Sequence, residues 1–339
     1  MAKSDNLNTR YLNRDEYDLW DRFVDRSAEG TIFHKSYWLS TFATWQHLQL
    51  RIAGCFKGDE LAGGMAFTFK RKYGMIKVMQ VPLKTPFFGP VLSDTETKYL
   101  SRTENHRHSV ICSLIDFVMS EIGMFTAVLT PPFEDIRPFI WNGFSPGIHY
   151  TYIKEISNDT DLLDCYDSSV RRQIKKGEQQ DYTFHTDNTK DFIFKARELE
   201  QRSFERQKLN LDYASGNDFF SFISDLAEKG NAQTYTIKQG DTAVASQIVI
   251  FDLPKKMAYY WLAGAEKQYL STGLNQLLLH LVLKDIQEKG FRGFDFVGAG
   301  TESIARYKST FNFPLVSMHS VTRTRGVTRL LLQIKEMIR

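Results

Sequence analysis

The chain has 339 residues, 42% of them hydrophobic and 24% charged, with a formal net charge of +3. That length supports two domains with cores of their own, and the composition is that of an ordinary globular protein. The charge is too mild to announce a nucleic-acid binder, although a local basic face stays open, and no DNA partner is expected.

Residues 14–29 place Tyr17, Trp20, Phe23 and Val24 on one helical face. The aromatic segment Phe33-His-Lys-Ser-Tyr-Trp38 leads into a second helix. Strands are expected near 49–57 and 61–70, joined by Gly58-Asp59. Residues 87–92 read as a strand entered through a Pro-rich turn. Residues 108–122 form a helix with Ile111, Leu114, Ile115, Val118 and Ile122 on one stripe, followed by a strand over 125–130 that Pro131-Pro132 stops.

In the second half, 168–177 is a short helix and 189–208 and 218–229 are longer ones. Strands at 233–239, 243–252 and 256–263 form a meander. Residues 274–289 are helical with Leu274, Leu277, Leu278, Leu281 and Val282 inward. The strand over 291–297 puts Phe294 and Phe296 on one face and Asp295 on the other. A short helix spans 301–310. At the end, Leu330, Leu331, Ile334, Met337 and Ile338 form an apolar stripe bounded by Arg329, Lys335 and Arg339. It reads as a helix docked on the body, with a basic membrane-surface helix as the alternative.

The two halves repeat one unit. Residues 51–69 and 233–251 both read strand, Gly-Asp turn, strand. Each is followed downstream by an amphipathic helix, then by Gly123-Met-Phe or Gly290-Phe-Arg opening a strand, then by Phe144 or Phe313 before another extended run. Helices alternate with a largely antiparallel sheet, so the class is mixed α/β, or α+β, with one fold used twice. Only the second copy carries a dense polar motif, and chemistry is expected there.

Cys55, Cys112 and Cys165 are dispersed and odd in number, which argues against a disulfide framework and fits a reducing compartment. Neither Cys-x-x-Cys nor His-Glu-x-x-His occurs, so no metal is expected. Without an apolar signal core or membrane span, the protein reads as cytoplasmic. Gly143-Phe-Ser-Pro-Gly147 matches Gly-x-Ser-x-Gly but is rejected as a nucleophile elbow. A strand follows it instead of a helix, and Pro146 has no N–H for an oxyanion. Gly298-Ala-Gly300 lies between a strand and a helix, either as a ligand-facing turn whose amides meet an anion or as a plain tight turn. Arg171 and Arg172 sit at i,i+4 from Lys175 and Lys176, giving a basic ridge that is either a solvated face or a phosphate-binding one. His34 and His280 read as structural.

Five segments in order resemble the FemAB-like branch of the GNAT acyltransferases. They are Phe33-His-Lys-Ser-Tyr-Trp38, Arg171-Arg-Gln-Ile-Lys-Lys-Gly177, Ser203-Phe-Glu-Arg206, Gly290-Phe-Arg-Gly-Phe-Asp-Phe-Val-Gly298 and Ile304-Ala-Arg-Tyr-Lys-Ser-Thr-Phe311. The resemblance covers nearly the whole chain and implies two tandem GNAT-like domains, expected at 1–155 and 156–325, with a helix over 326–339. It implies transfer of an acyl or aminoacyl group to an amine acceptor, small or lipid-linked: an amino sugar, an amino acid or a cell-envelope precursor of the peptidoglycan type. Acyl-CoA is the expected donor and aminoacyl-tRNA the alternative. A catalytically silent binding protein of an envelope pathway, and peripheral contact with the inner face of a membrane, stay open.

By the same resemblance Lys308, in a motif where Tyr307 replaces the usual Phe, stabilises the anionic tetrahedral intermediate. Arg206 touches acceptor phosphate, with Lys35, Trp38, Tyr307 and Arg172 as further substrate contacts. The segment Gln268-Tyr-Leu-Ser-Thr-Gly273 faintly resembles the GNAT pyrophosphate loop, so Gly273, Gly298 and Gly300 are the donor-binding candidates. Direct attack by an amine needs orientation, loss of one proton and oxyanion stabilisation, but no covalent nucleophile. Asp295 is the first candidate for proton acceptor or amine binder, or else a cap for the 298–301 turn. Glu302 is the second candidate.

Overall fold

Two Gly-Asp turns organise the chain. The computed structural model describes residues 6–72, 76–94, 98–157, 159, 161–206, 214–326 and 328. The chain divides into two units, Met1–His149 with Ser317–Arg339, and Tyr150–Val316.

The first unit contains β1 (Leu7–Tyr11), α1 (Tyr17–Arg26), α2 (Ser36–Trp45), β2 (Gln49–Lys57), β3 (Glu60–Lys72), β4 (Ile76–Met79), β5 (Pro90–Leu92), α3 (Leu100–Glu121), β6 (Met124–Val128) and α4 (Arg137–Trp141). Lys57 faces Glu60 across the Gly58-Asp59 turn, with Gly58 at φ +62°. Such two-residue turns need positive φ, which glycine adopts without strain. β2, β3 and β4 run antiparallel, and β4 meets β6 in parallel after the α3 crossover. The core is aromatic: Trp20, Phe33, Trp38 and Phe42 are fully buried, and the rings of Phe33 and Trp38 meet edge-on at 4.8 Å. α3 starts eight residues before the expected helix start at residue 108, because its first turns are polar and exposed and carry no apolar stripe.

The second half of the chain contains β7 (Ser145–Glu155), α5 (Leu162–Cys165), α6 (Ser168–Glu178), β8 (Tyr182–Thr186), α7 (Lys190–Arg206), α8 (Gly216–Glu228), β9 (Ala232–Gln239), β10 (Thr242–Asp252), β11 (Met257–Ala265), α9 (Leu274–Glu288), β12 (Gly293–Asp295), α10 (Glu302–Ser309) and β13 (Leu315–Thr324). Gln239 faces Thr242 across Gly240-Asp241, and Gly240 has φ +56°. This repeats the first hairpin. The sheet of the second unit runs β7-β12-β11-β10-β9-β8, with β11 and β12 parallel. α6 and α9 bury Val170, Ile174, Leu278 and Val282 with Tyr235, Ile237 and Val249 of the sheet.

The mixed α/β class and the repeated fold are as the sequence expects. Sequence reading puts the junction at 155/156 and the end of the second unit at 325. In the structure, β7 belongs to the second unit from Tyr150, pairing Lys154 with Phe294 of β12. β13 belongs to the first unit from Ser317, pairing Thr322 with Thr126 of β6. Hydrophobic alternation marks a strand but does not say which sheet receives it. The apolar stripe that begins at Leu330 lies outside the described residues. Among the described residues no helix is long and apolar enough to cross a membrane.

Candidate active site

The chemistry of the second unit gathers where β12 ends. After Asp295 the backbone takes φ +53° at Val297 and +86° at Gly298. A β-branched residue at positive φ is costly and persists only when its surroundings hold it. Here both sides hold it. Val297 N–H donates to Asp295 Oδ1 at 2.7 Å, the Thr151 hydroxyl donates to the same oxygen at 2.5 Å, and Gly298 N–H donates to Thr151 Oγ1 at 3.0 Å. From the other side Lys308 Nζ donates to the carbonyls of Phe296 and Gly298, both at 2.6 Å. α10 brings Lys308 there, its N-terminus capped by the Thr301 hydroxyl, which accepts from Ile304 N–H.

Asp295 and Lys308 are 1% and 6% exposed. Burial pushes the Asp295 carboxyl up to about 6, against the Thr151 and Val297 hydrogen bonds and the charge of Lys308. Burial pulls Lys308 down to about 8, with Asp295 opposing. Both groups are thereby poised near neutrality. The rings of Tyr260 and Phe296 stand 5.6 and 5.5 Å from the ammonium.

Next to this cluster the sheet opens. β11 and β12 pair for three residues, ending with Tyr259 opposite Asp295, and β11 then runs on to Ala265 without β12. Ile248 faces Leu262 and Val249 faces Tyr260, which leaves Trp261 as a bulge. A cavity of about 110 Å³ lies here, lined by Ser203 and Arg206 of α7, Gln247 of β10, Tyr260 and Gly264 of β11, and Asn275 of α9. α7 crosses so close that a Cβ on Gly264 would lie 2.2 Å from the Leu199 carbonyl carbon, so only glycine fits. Arg206 is held at the cavity by Ser203 Oγ at 2.7 Å and the Ala265 carbonyl at 3.0 Å. Tyr260 lines the cavity and faces the Lys308 ammonium, linking the two features. A larger open cleft of about 1100 Å³ lies at the other end of β12, along residues 153–157 and 290–293, and no buried titratable group lines it among the described residues.

The structure thus brings together Lys308, Asp295, Gly298, Arg206 and Tyr307, whose hydroxyl donates to the Asn275 carbonyl at 3.3 Å. Glu302 is exposed on the first turn of α10 and pairs with Arg306. Arg172 is exposed on α6. Gly300 faces open space, while the amides of Gly298 and Ala299 are taken by Thr151 and the Tyr150 carbonyl. Gly273 has φ +85°, and a Cβ there would lie 2.0 Å from the Gln173 carbonyl oxygen, so helix packing alone accounts for this glycine. The same segment does offer the N-terminus of the 15-residue helix α9, where a phosphate could sit. Lys35 and Trp38 belong to the first unit. Lys35 pairs with Asp25 at 2.5 Å, and Trp38 Nε1 donates to Thr85 at 3.1 Å. His34 and His280 are buried and both lowered to about 4, chiefly by desolvation. In the first unit Glu104, His108 and Asp135 gather closely enough to ligate a cation, but Arg137 bonds both carboxylates.

Sequence reading misses Thr151, Gly264 and Gln247. The first two act through contacts that no local pattern encodes. Gln247 leaves a trace, a polar residue inside the apolar run 244–251.

Residues 166–309, which span both the Lys308 cluster and the cavity, match the family described as an acetyltransferase (GNAT) domain. No curated protein matches the chain in sequence. Among solved structures the chain is similar to FemX, with a TM-score of 0.66 at 11% identity over 96% of this chain and 99% of that one. It is also similar to L-PGS from Bacillus licheniformis, with a TM-score of 0.56 at 13% identity over 95% and 96%. A tandem GNAT protein from the clavulanic acid biosynthesis pathway gives 0.55 at 12% over 95% and 99%. The second unit therefore carries a GNAT acetyltransferase domain. Over nearly its whole length the chain shares the fold of FemX and of the tandem GNAT protein.

Proposed function

We propose that the chain is an N-acyltransferase that moves an acyl or aminoacyl group to an amine acceptor, an amino sugar, amino acid or cell-envelope precursor, with acyl-CoA as donor. The observation that carries this reading is the span of the GNAT match, which includes the buried Asp295–Lys308 cluster and the adjoining cavity.

Direct transfer fits these residues. An amine attacking a thioester carbonyl forms a tetrahedral oxyanion, whose collapse to the amide breaks the C–S bond and expels the CoA thiolate, while the proton lost from the amine passes through a base to that thiolate or to solvent. Lys308 supplies positive charge beside the cavity and fixes the 296–298 loop, using two of its three N–H donors on carbonyls. Asp295, raised to about 6, is the candidate proton acceptor and fixes the same loop from its other side. Arg206 binds acceptor at the cavity mouth, and the α9 N-terminus receives the donor pyrophosphate. A neighbouring envelope function is consistent with the likeness to FemX and L-PGS.

The test is acyl transfer from radiolabelled acetyl-CoA to a panel of amino sugars, amino acids and muropeptides. Labelled amide supports the reading. No product, together with no melting shift on adding CoA or acetyl-CoA, overturns the acyl-CoA assignment. A saturating ligand at about 100 times its Kd adds roughly 2.7 kcal/mol, which such a melt resolves.

A further inference from the structure

We propose that the cavity between α7, β10, β11 and α9 recognises a short, carboxylate-bearing amine, with Arg206 taking the carboxylate and Gln247 a second acceptor atom deeper inside. The proposal rests on the acyltransferase reading and names the class of acceptor for the same site.

The first observation is Gln247. It lies in the apolar strand β10, is 1% exposed and lines the cavity, and its Nε2 has no hydrogen-bond partner among the described residues. Buried amides are almost always satisfied, and an orphaned donor is destabilising unless something other than the fold satisfies it. Its neighbour Ser246 shows the usual state: the hydroxyl donates to the Tyr235 carbonyl at 3.0 Å and meets Thr236 Oγ1 at 2.9 Å. The second observation is Arg206, which lines the same cavity. Its two bonds, to Ser203 Oγ and the Ala265 carbonyl, use one nitrogen and leave a planar fork of donors without an ion pair among the described residues. Such a fork matches a carboxylate.

Charge and size narrow the class. Arg206 is the one charged side chain among the described lining residues, which suits one negative charge better than the nearly two of a phosphate monoester. The cavity of about 110 Å³ exceeds the roughly 10–15 Å³ that one water needs, yet it is too small for a long acyl chain. Two donor groups face it from different elements, so a ligand with one anionic end and one further acceptor satisfies both.

Titration calorimetry on the full chain with saturating CoA tests this, using glycine, L-alanine and L-serine as probes. Ethanolamine serves as the amine without a carboxylate and O-phosphoethanolamine as the phosphate counterpart. The expected result is binding of at least one amino acid, with ethanolamine at least tenfold weaker. Arg206→Ala, at the exposed end of α7, loses at least tenfold. Gln247→Met, of similar volume, weakens binding severalfold and raises the melting temperature by about 2–4 °C, because an unsatisfied amide leaves the interior. Equal binding of ethanolamine, tighter binding of O-phosphoethanolamine, or a lowered melting temperature in Gln247→Met overturns the proposal. If Gln247→Met does not fold, Arg206→Ala against ethanolamine decides alone. Acetyl-CoA binding without any amino-acid binding sinks this proposal and leaves the acyltransferase reading. Failure of both sinks the two together.

Discussion

The two units share one fold and treat their buried polar groups differently. In the first unit Glu29, 2% exposed, accepts from Ser27 and pairs with Arg107, and Lys35 pairs with Asp25. These charges are cancelled by neighbours of opposite sign. In the second unit Lys308 is held by carbonyls and Asp295 by a hydroxyl and an amide, while each unit has a buried glutamine Nε2, of Gln46 in the first and Gln247 in the second, without a hydrogen-bond partner among the described residues. Pairing removes a charge from chemistry, whereas holding it by dipoles keeps it available. The contrast agrees with the proposed placement of the chemistry in the second copy.

The largest effect that separates the units comes from their buried charges. Lys308→Ala is expected to lower transfer by roughly 100- to 1000-fold, as for a lost oxyanion donor. It also lowers stability by about 1–3 kcal/mol, since the Phe296 and Gly298 carbonyls lose their donor. Turnover must therefore be normalised to the folded fraction in a urea melt. Glu29→Ala in the first unit is expected to cost a similar amount, because Ser27 and Arg107 both lose their acceptor. Its transfer per folded molecule should be unchanged. If Glu29→Ala abolishes transfer at equal folded fraction, the division of labour between the units breaks.

Gly264→Ala should cost about 1–3 kcal/mol by pushing α7 off β11, and transfer should fall as the cavity deforms. A melt and a rate on the same sample check it.

The pH dependence sharpens the contrast further. With Asp295 raised to about 6 and Lys308 lowered to about 8, transfer should follow a bell with limbs near those values. Asp295→Asn should flatten the acid limb. Stability has its own signs. The raised carboxyl contributes stability that is full below its unfolded value of 3.8 and lost as pH rises through about 6. The lowered ammonium contributes stability that is full above 10.5 and lost as pH falls through about 8. Between 6 and 8 both groups are charged against their burial, and this is the window in which they are useful. The smallest effect is Glu302→Ala, which should leave melting and turnover unchanged because the residue sits exposed in an i,i+4 surface pair.

Much of the fold is legible in the sequence. The hairpins around Gly58-Asp59 and Gly240-Asp241 follow from alternation and turn chemistry, and the helices α1, α3 and α9 from their apolar stripes. The short strands β1, β4 and β8 escape because four or five residues carry too little periodicity. The destinations of β7 and β13 escape because strand pairing is non-local. At the site, Lys308, Asp295 and Arg206 stand out by type and motif. What Lys308 holds does not, because its partners are main-chain carbonyls that every residue possesses. Gly264 and Thr151 are visible only once α7 and β7 have been placed.

The most direct test of the central claim, that donor binds the second unit, is hydrogen exchange on the full chain with and without saturating acetyl-CoA. The account predicts slowed exchange in β11, the 296–300 loop and the first turn of α9, with β2, β3 and α3 unchanged. Protection confined to the first unit, or no protection in a folded sample, would contradict it.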